Sequence, residues 1–215
     1  MKSEHKIRLV LCDDHDMVRE ALALFLSKEK NIEVVGSAAT EESLLELVKS
    51  SNPDIVLLDV RLGSESGVNI LRKLREGNTG QNVIMLTTFE SDLALVDAYE
   101  AGAAAFLLKS AHVQNMLSTI RDVADGRRPF DVVEVRAAMA RLEATGMSVL
   151  RTLDDTDRAI LRELAKGASD QQIASAVFLS VQTVRNKVSR LLRRFDRENR
   201  TQIAVFLAGL PDDSL

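Results

Sequence analysis

Four short apolar runs in the first half of the chain each end on a polar residue: 7–12 on Asp13-Asp14, 54–58 on Asp59, 82–86 on Thr87 and 104–108 on Lys109. A strand is apolar along its whole length only when both of its faces are covered, as in parallel strands joined by crossover helices. Stretches of helical period over 16–27, 41–49, 67–75, 92–101 and 113–124 lie between these runs or after the last, and 32–37 reads as one more strand. The fold class expected is therefore α/β, with five βα units in a parallel, doubly wound sheet. Parallel strands share a carboxyl edge. Three carboxylates, one hydroxyl and one ammonium would meet there, where open α/β sheets place their sites.

Carboxylates held close together repel one another unless a divalent cation is present, and a hard, all-oxygen set suits Mg2+. A carboxylate beside Mg2+, faced by a hydroxyl and an ammonium, has the parts needed to accept a phosphoryl group: a nucleophilic oxygen, a metal, and donors for the transferred oxygens. Asp59 stands alone at its strand end and is the expected nucleophile, whereas the adjacent Asp13 and Asp14 are placed to ligate metal. Thr87 and Lys109 are expected to hold the phosphoryl oxygens. Singly, each residue has an ordinary reading as a loop starter, cap or solvated charge. All five on matching strand ends, in this order, point to one shared role.

Asp13-Asp14-His15, Asp59, Thr87-Thr88 and Phe106-Leu107-Leu108-Lys109, at these separations, resemble the receiver domain of two-component response regulators over roughly residues 6–126. The resemblance implies a flavodoxin-like fold and phosphorylation of Asp59 by a partner histidine kinase. It implies that Asp14, Asp59 and the backbone carbonyl of Arg61 ligate Mg2+ while Asp13 assists, and that Thr87 and Phe106 switch position on phosphorylation, with Thr88 and Lys109 beside the phosphoryl group. In one segment the chain departs from the family. A Met-Pro pair usually follows the acceptor aspartate, but here the segment is Val60-Arg61-Leu62-Gly63-Ser64-Glu65-Ser66-Gly67, rich in Gly and Ser.

At 215 residues with 46% hydrophobic content, the chain is long enough for two small domains. Charge is divided unevenly: residues 1–147 carry 17 Lys+Arg against 23 Asp+Glu, and residues 148–215 carry 11 against 9. Between 180 and 200 stand seven basic and two acidic residues, a stripe suited to a polyanion. The single Cys12 has no disulfide partner within the chain and reads as a small buried hydrophobe. With no apolar leader at residues 1–6 and no run near the ~20 residues needed to span a bilayer, a cytoplasmic protein without membrane contact is expected.

Asp125-Gly126-Arg127-Arg128-Pro129 breaks the βα pattern, and 132–144 reads as a linker helix. The expected division is 1–126, a linker at 127–150, and an all-α domain at 151–215. That last part reads as four helices, over 155–166, 170–176, 181–195 and 201–208, with Ser169 and Ser180 as N-caps. A short helix, an apolar turn at 177–179 and a longer basic helix form a helix-turn-helix pattern, whose second helix enters the DNA major groove. On that helix Val184, Val188, Leu191, Leu192 and Phe195 form a buried stripe. Gln182, Arg185, Asn186 and Ser189 can bond base edges, while Lys187, Arg190, Arg193 and Arg194 suit phosphates.

Residues 153–157, 167–174, 179–186 and 199–202 resemble the LuxR-type helix-turn-helix in the arrangement of NarL/FixJ response regulators. By that resemblance Arg185, Asn186 and Ser189 read the groove, Thr183 and Lys187 touch the DNA backbone, and the last helix pairs two DNA-binding domains. Asp157 stands where glutamate is usual, and Lys187 where histidine is common. The function expected is a transcription regulator, not an enzyme beyond slow hydrolysis of its own acyl phosphate. Phosphorylation of Asp59 would make it a homodimer on paired half-sites of double-stranded DNA. The alternative is a DNA-binding protein whose receiver is a constitutive dimer or ligand sensor that is never phosphorylated. An aspartyl-phosphate phosphatase would need a substrate cap, which the short connections do not supply.

Overall fold

The computed structural model describes residues 6–63, 65–76 and 80–210, and the chain divides into two units, Met1–Ala138 and Met139–Leu215. Residues 1–5, part of the amino end read above as lacking a leader, and Ser64 of the Gly/Ser segment lie outside the described residues.

In the first unit the elements are β1 (Ile7–Cys12), α1 (Asp16–Leu26), β2 (Ile32–Ala38), α2 (Glu41–Ser51), β3 (Ile55–Asp59), β4 (Arg61–Leu62), β5 (Glu65–Ser66), α3 (Gly67–Glu76), β6 (Asn82–Thr87), α4 (Asp92–Glu100), β7 (Ala105–Leu108), α5 (Val113–Ala124) and α6 (Val132–Ala144). The unit boundary falls inside α6, within the stretch read as linker. Five strands form a parallel sheet in the order β2-β1-β3-β6-β7. Successive residues of a strand point to opposite faces, and both faces are covered here. Val10, Cys12, Val56, Leu58 and Met85 enter one core cluster, while Leu9, Leu11, Ile55, Leu57, Ile84 and Leu86 enter the other. Double coverage is the physical reason for the uninterrupted apolar runs. Truncating one of the fully buried Leu, Ile or Met side chains among these to Ala would cost about 2–5 kcal/mol.

The strands sit slightly further along the chain than the apolar runs suggest. Asp59 and Thr87 are the last residues of β3 and β6, not the first beyond them, while Asp54 precedes β3 and accepts the Arg8 N–H at 2.8 Å. The Gly/Ser-rich segment after Asp59 forms a small antiparallel hairpin, Arg61 facing Ser66 and Leu62 facing Glu65, with Gly63 in its turn at φ 62°. Positive φ costs glycine nothing, and this turn needs it.

The second unit comprises a 3-10 helix (Met147–Thr152), α7 (Asp155–Ala165), α8 (Asp170–Ala176), α9 (Val181–Arg194) and α10 (Arg200–Ala208). The 3-10 helix is additional to the four helices expected. Side chains of Asp154, Ser169, Ser180 and Asn199 accept backbone N–H groups of the helices they start. Ile160, Leu161, Leu164, Ile173, Val184, Leu191, Ile203 and Leu207 are buried in this unit. The turn between α8 and α9 turns on Phe178, at φ 55° and 93% exposed. No described helix is long and apolar enough to cross a membrane.

Candidate functional site

The carboxyl edge of the sheet brings Asp13, Asp14, Asp59 and Lys109 together, because β1, β3, β6 and β7 run parallel and end at this edge, with Thr87 closing β6 there. Lys109 Nζ lies 2.6 Å from Asp13 Oδ2 and 2.6 Å from Asp59 Oδ2, so one ammonium bridges the ends of the first and third strands. Asp13 and Asp59 are buried and Asp14 is half-buried. Asp59 Oδ1 accepts the Arg61 N–H at 3.2 Å, and Asp13 Oδ1 accepts the His15 N–H at 3.0 Å. Ligand atoms of Asp13, Asp14, His15 and Asp59 all lie within 4.8 Å of one another. Buried Asp13 Oδ2 is met by the Lys109 ammonium, and the other carboxylate oxygens gathered beside it form the hard donor set that suits a divalent cation. The residues present fit Mg2+.

Burial pushes the Asp59 carboxyl above its ordinary pKa, and the hydrogen bond from Lys109 only partly offsets this. For Lys109, burial pulls downward, but hydrogen bonds to Asp13 and Asp59 outweigh it and hold the ammonium above its ordinary value. Lys109 therefore stays charged. Next to the site, burial pushes the Cys12 thiol up to about 12, which agrees with an inert core residue.

The Thr87 carbonyl accepts the Lys109 N–H at 2.7 Å, while the Thr87 side chain is engaged locally. The Thr87 hydroxyl donates to the Phe89 carbonyl at 3.1 Å and accepts the Phe89 N–H at 3.3 Å, closing a local turn. Phe106 is partly buried against the core cluster on one face of the sheet, and Thr88 is exposed. Four contributors had no role assigned to them from the sequence. Arg19 donates to the Asp13 carbonyl at 2.7 Å, the Gly63 N–H donates to Asp14 Oδ2 at 3.0 Å, and His15 Nδ1 lies 2.9 Å from Asp14 Oδ1. Gly67 lies so close that a Cβ there would stand 1.9 Å from the Asp59 carbonyl oxygen. A glycine at the first position of a helix, eight residues past the acceptor, was the one visible signal for the last of these.

In the second unit, Gln182, Thr183, Arg185, Asn186, Ser189, Arg190 and Arg193 are exposed on α9, while Lys187 and Arg194 are half-buried. The Val184, Val188, Leu191 and Phe195 stripe is buried, and Leu192 partly so. Several of the basic groups are already engaged. Lys187 and Arg190 reach Asp157 at 2.7 and 2.8 Å, Arg185 Nε lies 3.4 Å from Asp170, and Arg194 bonds the Thr152 hydroxyl. The cationic stripe is thus a braced surface.

Comparison with known proteins matches the model of the response regulator receiver domain over residues 9–121 and that of the luxR family of bacterial regulatory proteins over residues 151–207. The chain is similar to the DNA-binding transcriptional activator DevR/DosR of Mycobacterium tuberculosis, 35% identical over 95% of both chains. It is also similar to the transcriptional regulatory protein LiaR of Bacillus subtilis, 29% identical over 93% of this chain and 95% of that one. Among solved structures, the response regulator ChrA of a heme-sensing two-component system is 27% identical, with a TM-score of 0.54 over 94% of this chain and 96% of that chain.

Proposed function

The chain belongs to the response regulators that join a receiver domain to a LuxR-type DNA-binding domain, and on that premise we propose that phosphorylation of Asp59 by a partner histidine kinase switches its binding to DNA. It is a DNA-binding transcriptional regulator of a two-component system. The observation that carries the phosphorylation reading is the Asp13–Lys109–Asp59 bridge beside Asp14.

In the proposed step an Asp59 carboxylate oxygen bonds to phosphorus as the P–N bond to the donor histidine breaks. Asp13, Asp14, Asp59 and the Arg61 carbonyl would hold Mg2+, whose charge offsets that of the phosphoryl oxygens. Lys109, kept cationic by its two carboxylates, exchanges its Asp59 contact for a phosphoryl oxygen. The Thr87 hydroxyl leaves the Phe89 carbonyl for the same group, Thr88 follows it, and Phe106 turns inward. The face built from α4, β7 and α5 changes with them, and two copies pair on DNA half-sites. Gln182, Arg185, Asn186 and Ser189 would face base edges, with Thr183, Lys187, Arg190, Arg193 and Arg194 toward phosphates. The protein works where its DNA is, in the cytoplasm, and its only turnover is slow loss of its own phosphoryl group.

Intact mass after incubation with Mg2+ and a small phosphodonor tests the reading. One phosphoryl group on the wild type and none on Asp59→Asn is expected, together with dimerisation in sedimentation runs. A folded wild type that gains no mass from either phosphodonor or kinase would overturn it.

A further inference from the structure

Helix α9 presents three rows of side chains, a consequence of its 3.6-residue repeat. Val184, Val188 and Leu191 are buried, and Gln182, Arg185, Asn186, Ser189 and Arg193 are exposed. The third row, Lys187, Arg190 and Arg194, converges on one carboxylate. Asp157, on the first turn of α7, is 1% exposed and holds all three cations. Its Oδ1 lies 2.7 Å from Lys187 Nζ, Arg190 Nη2 donates to both oxygens at 3.0 and 2.8 Å, and Arg194 Nη1 lies 3.9 Å from Oδ2. Asp154 adds a second carboxylate 3.5 Å from Lys187, and its Oδ1 fixes the Asp157 N–H at 2.6 Å.

A buried carboxylate is poor evidence of stabilisation, because desolvation offsets most of the attraction and an apolar residue packs as well. What such a group supplies is placement. Three cations against two carboxylates leave the cluster positive. Arg190 engages Asp157 through Nη2 alone and is half exposed, so its other guanidinium donors remain for another oxygen. Long cationic side chains lose rotamer freedom when they grip a phosphate, and here folding has already removed part of that freedom.

We propose that Asp157 is a positioning residue for DNA binding, one that gathers Lys187 and Arg190 along one side of α9 so that they grip phosphates bordering the groove read by the adjacent exposed row. The two departures noted in the sequence then compensate each other, since the shorter Asp157 is met by the longer Lys187.

The test uses the full chain, a duplex enriched by the wild type from a random-sequence pool, and a scrambled duplex of equal length. Asp157→Asn is expected to lower the preference for the enriched duplex at least ten-fold, and Asp157→Glu, which keeps the charge, to recover most of it. Lys187→Gln and Arg190→Gln, both substitutions of partly exposed side chains, should each reduce the slope of log affinity against log salt by about 0.9. A folded Asp157→Asn protein with undiminished preference would overturn the proposal. Unchanged salt slopes in both glutamine variants would do so whatever Asp157→Asn does, including if it fails to fold.

Discussion

Lys109 is the residue on which the receiver site turns, because it holds two buried carboxylates that otherwise face each other. Burial still raises the Asp59 pKa, which means that its ionised form opposes folding at neutral pH. Asp59→Asn is therefore expected to raise the unfolding midpoint at pH 7. The gain should shrink as pH falls through the raised pKa of Asp59 towards the ordinary 3.8, where the wild-type carboxyl is also neutral. Thermal melts at several pH values, without added metal, read this directly. Gly67 acts by what it lacks. A methyl there would overlap the Asp59 carbonyl, so Gly67→Ala must displace the end of β3, with an expected loss of about 2 kcal/mol or more and slower phosphorylation than wild type. Denaturant titration and mass measured against time give the two readings separately.

Helix ends and turns set local stability in the second unit. The Asp154 side chain caps α7, and the Asp157 N–H it accepts, more than the charge of Lys187, holds its carboxyl below the usual range. A lowered pKa stabilises above the unfolded value of 3.8, and that stabilisation is lost as pH falls through the folded value. Asp154→Ala should cost about 1 kcal/mol at pH 7, the difference fading in acid melts. Phe178 holds a left-handed backbone that disfavours a side chain by about 1–2 kcal/mol, and its ring gains little by burial. Phe178→Gly should raise stability by roughly 0.5–1 kcal/mol, since glycine returns part of the gain as chain entropy. The strands β1, β3, β6 and β7 were legible as apolar runs because both of their faces are covered, and the starts of α8 and α9 because Ser169 and Ser180 cap their own helices. The β4–β5 hairpin was not, since two-residue strands carry no periodicity. The Gly63 to Asp14 bond joins positions 49 apart, and the Arg190 to Asp157 pair positions 33 apart, so only tertiary packing creates them.

For the whole molecule, the balance of charge and the surface left on α10 bear on assembly. The amino-terminal 147 residues are net acidic and the remainder net basic, so attraction to DNA belongs to the second unit. On α10, Val205 is 69% exposed beside Thr201 and Gln202, whereas Ile203 and Leu207 are buried. If this helix pairs two DNA-binding units, Val205→Asp should leave melting within about 0.5 kcal/mol of wild type and weaken binding to paired half-sites far more than to a single one. Gel-shift assays on the two duplexes would separate those affinities; equal losses on both would remove α10 from the pairing surface. The three rows of α9 have a consequence for descent as well. On the proposed reading, packing, bracing and base contact fall to different side chains on the same helix, so the exposed Gln182, Asn186 and Ser189 can be exchanged without unpacking the core row or releasing Asp157. A duplicated copy of such a gene could drift to a new operator through a few neutral steps, inheriting a stable fold and an intact phosphate grip while only its address changes.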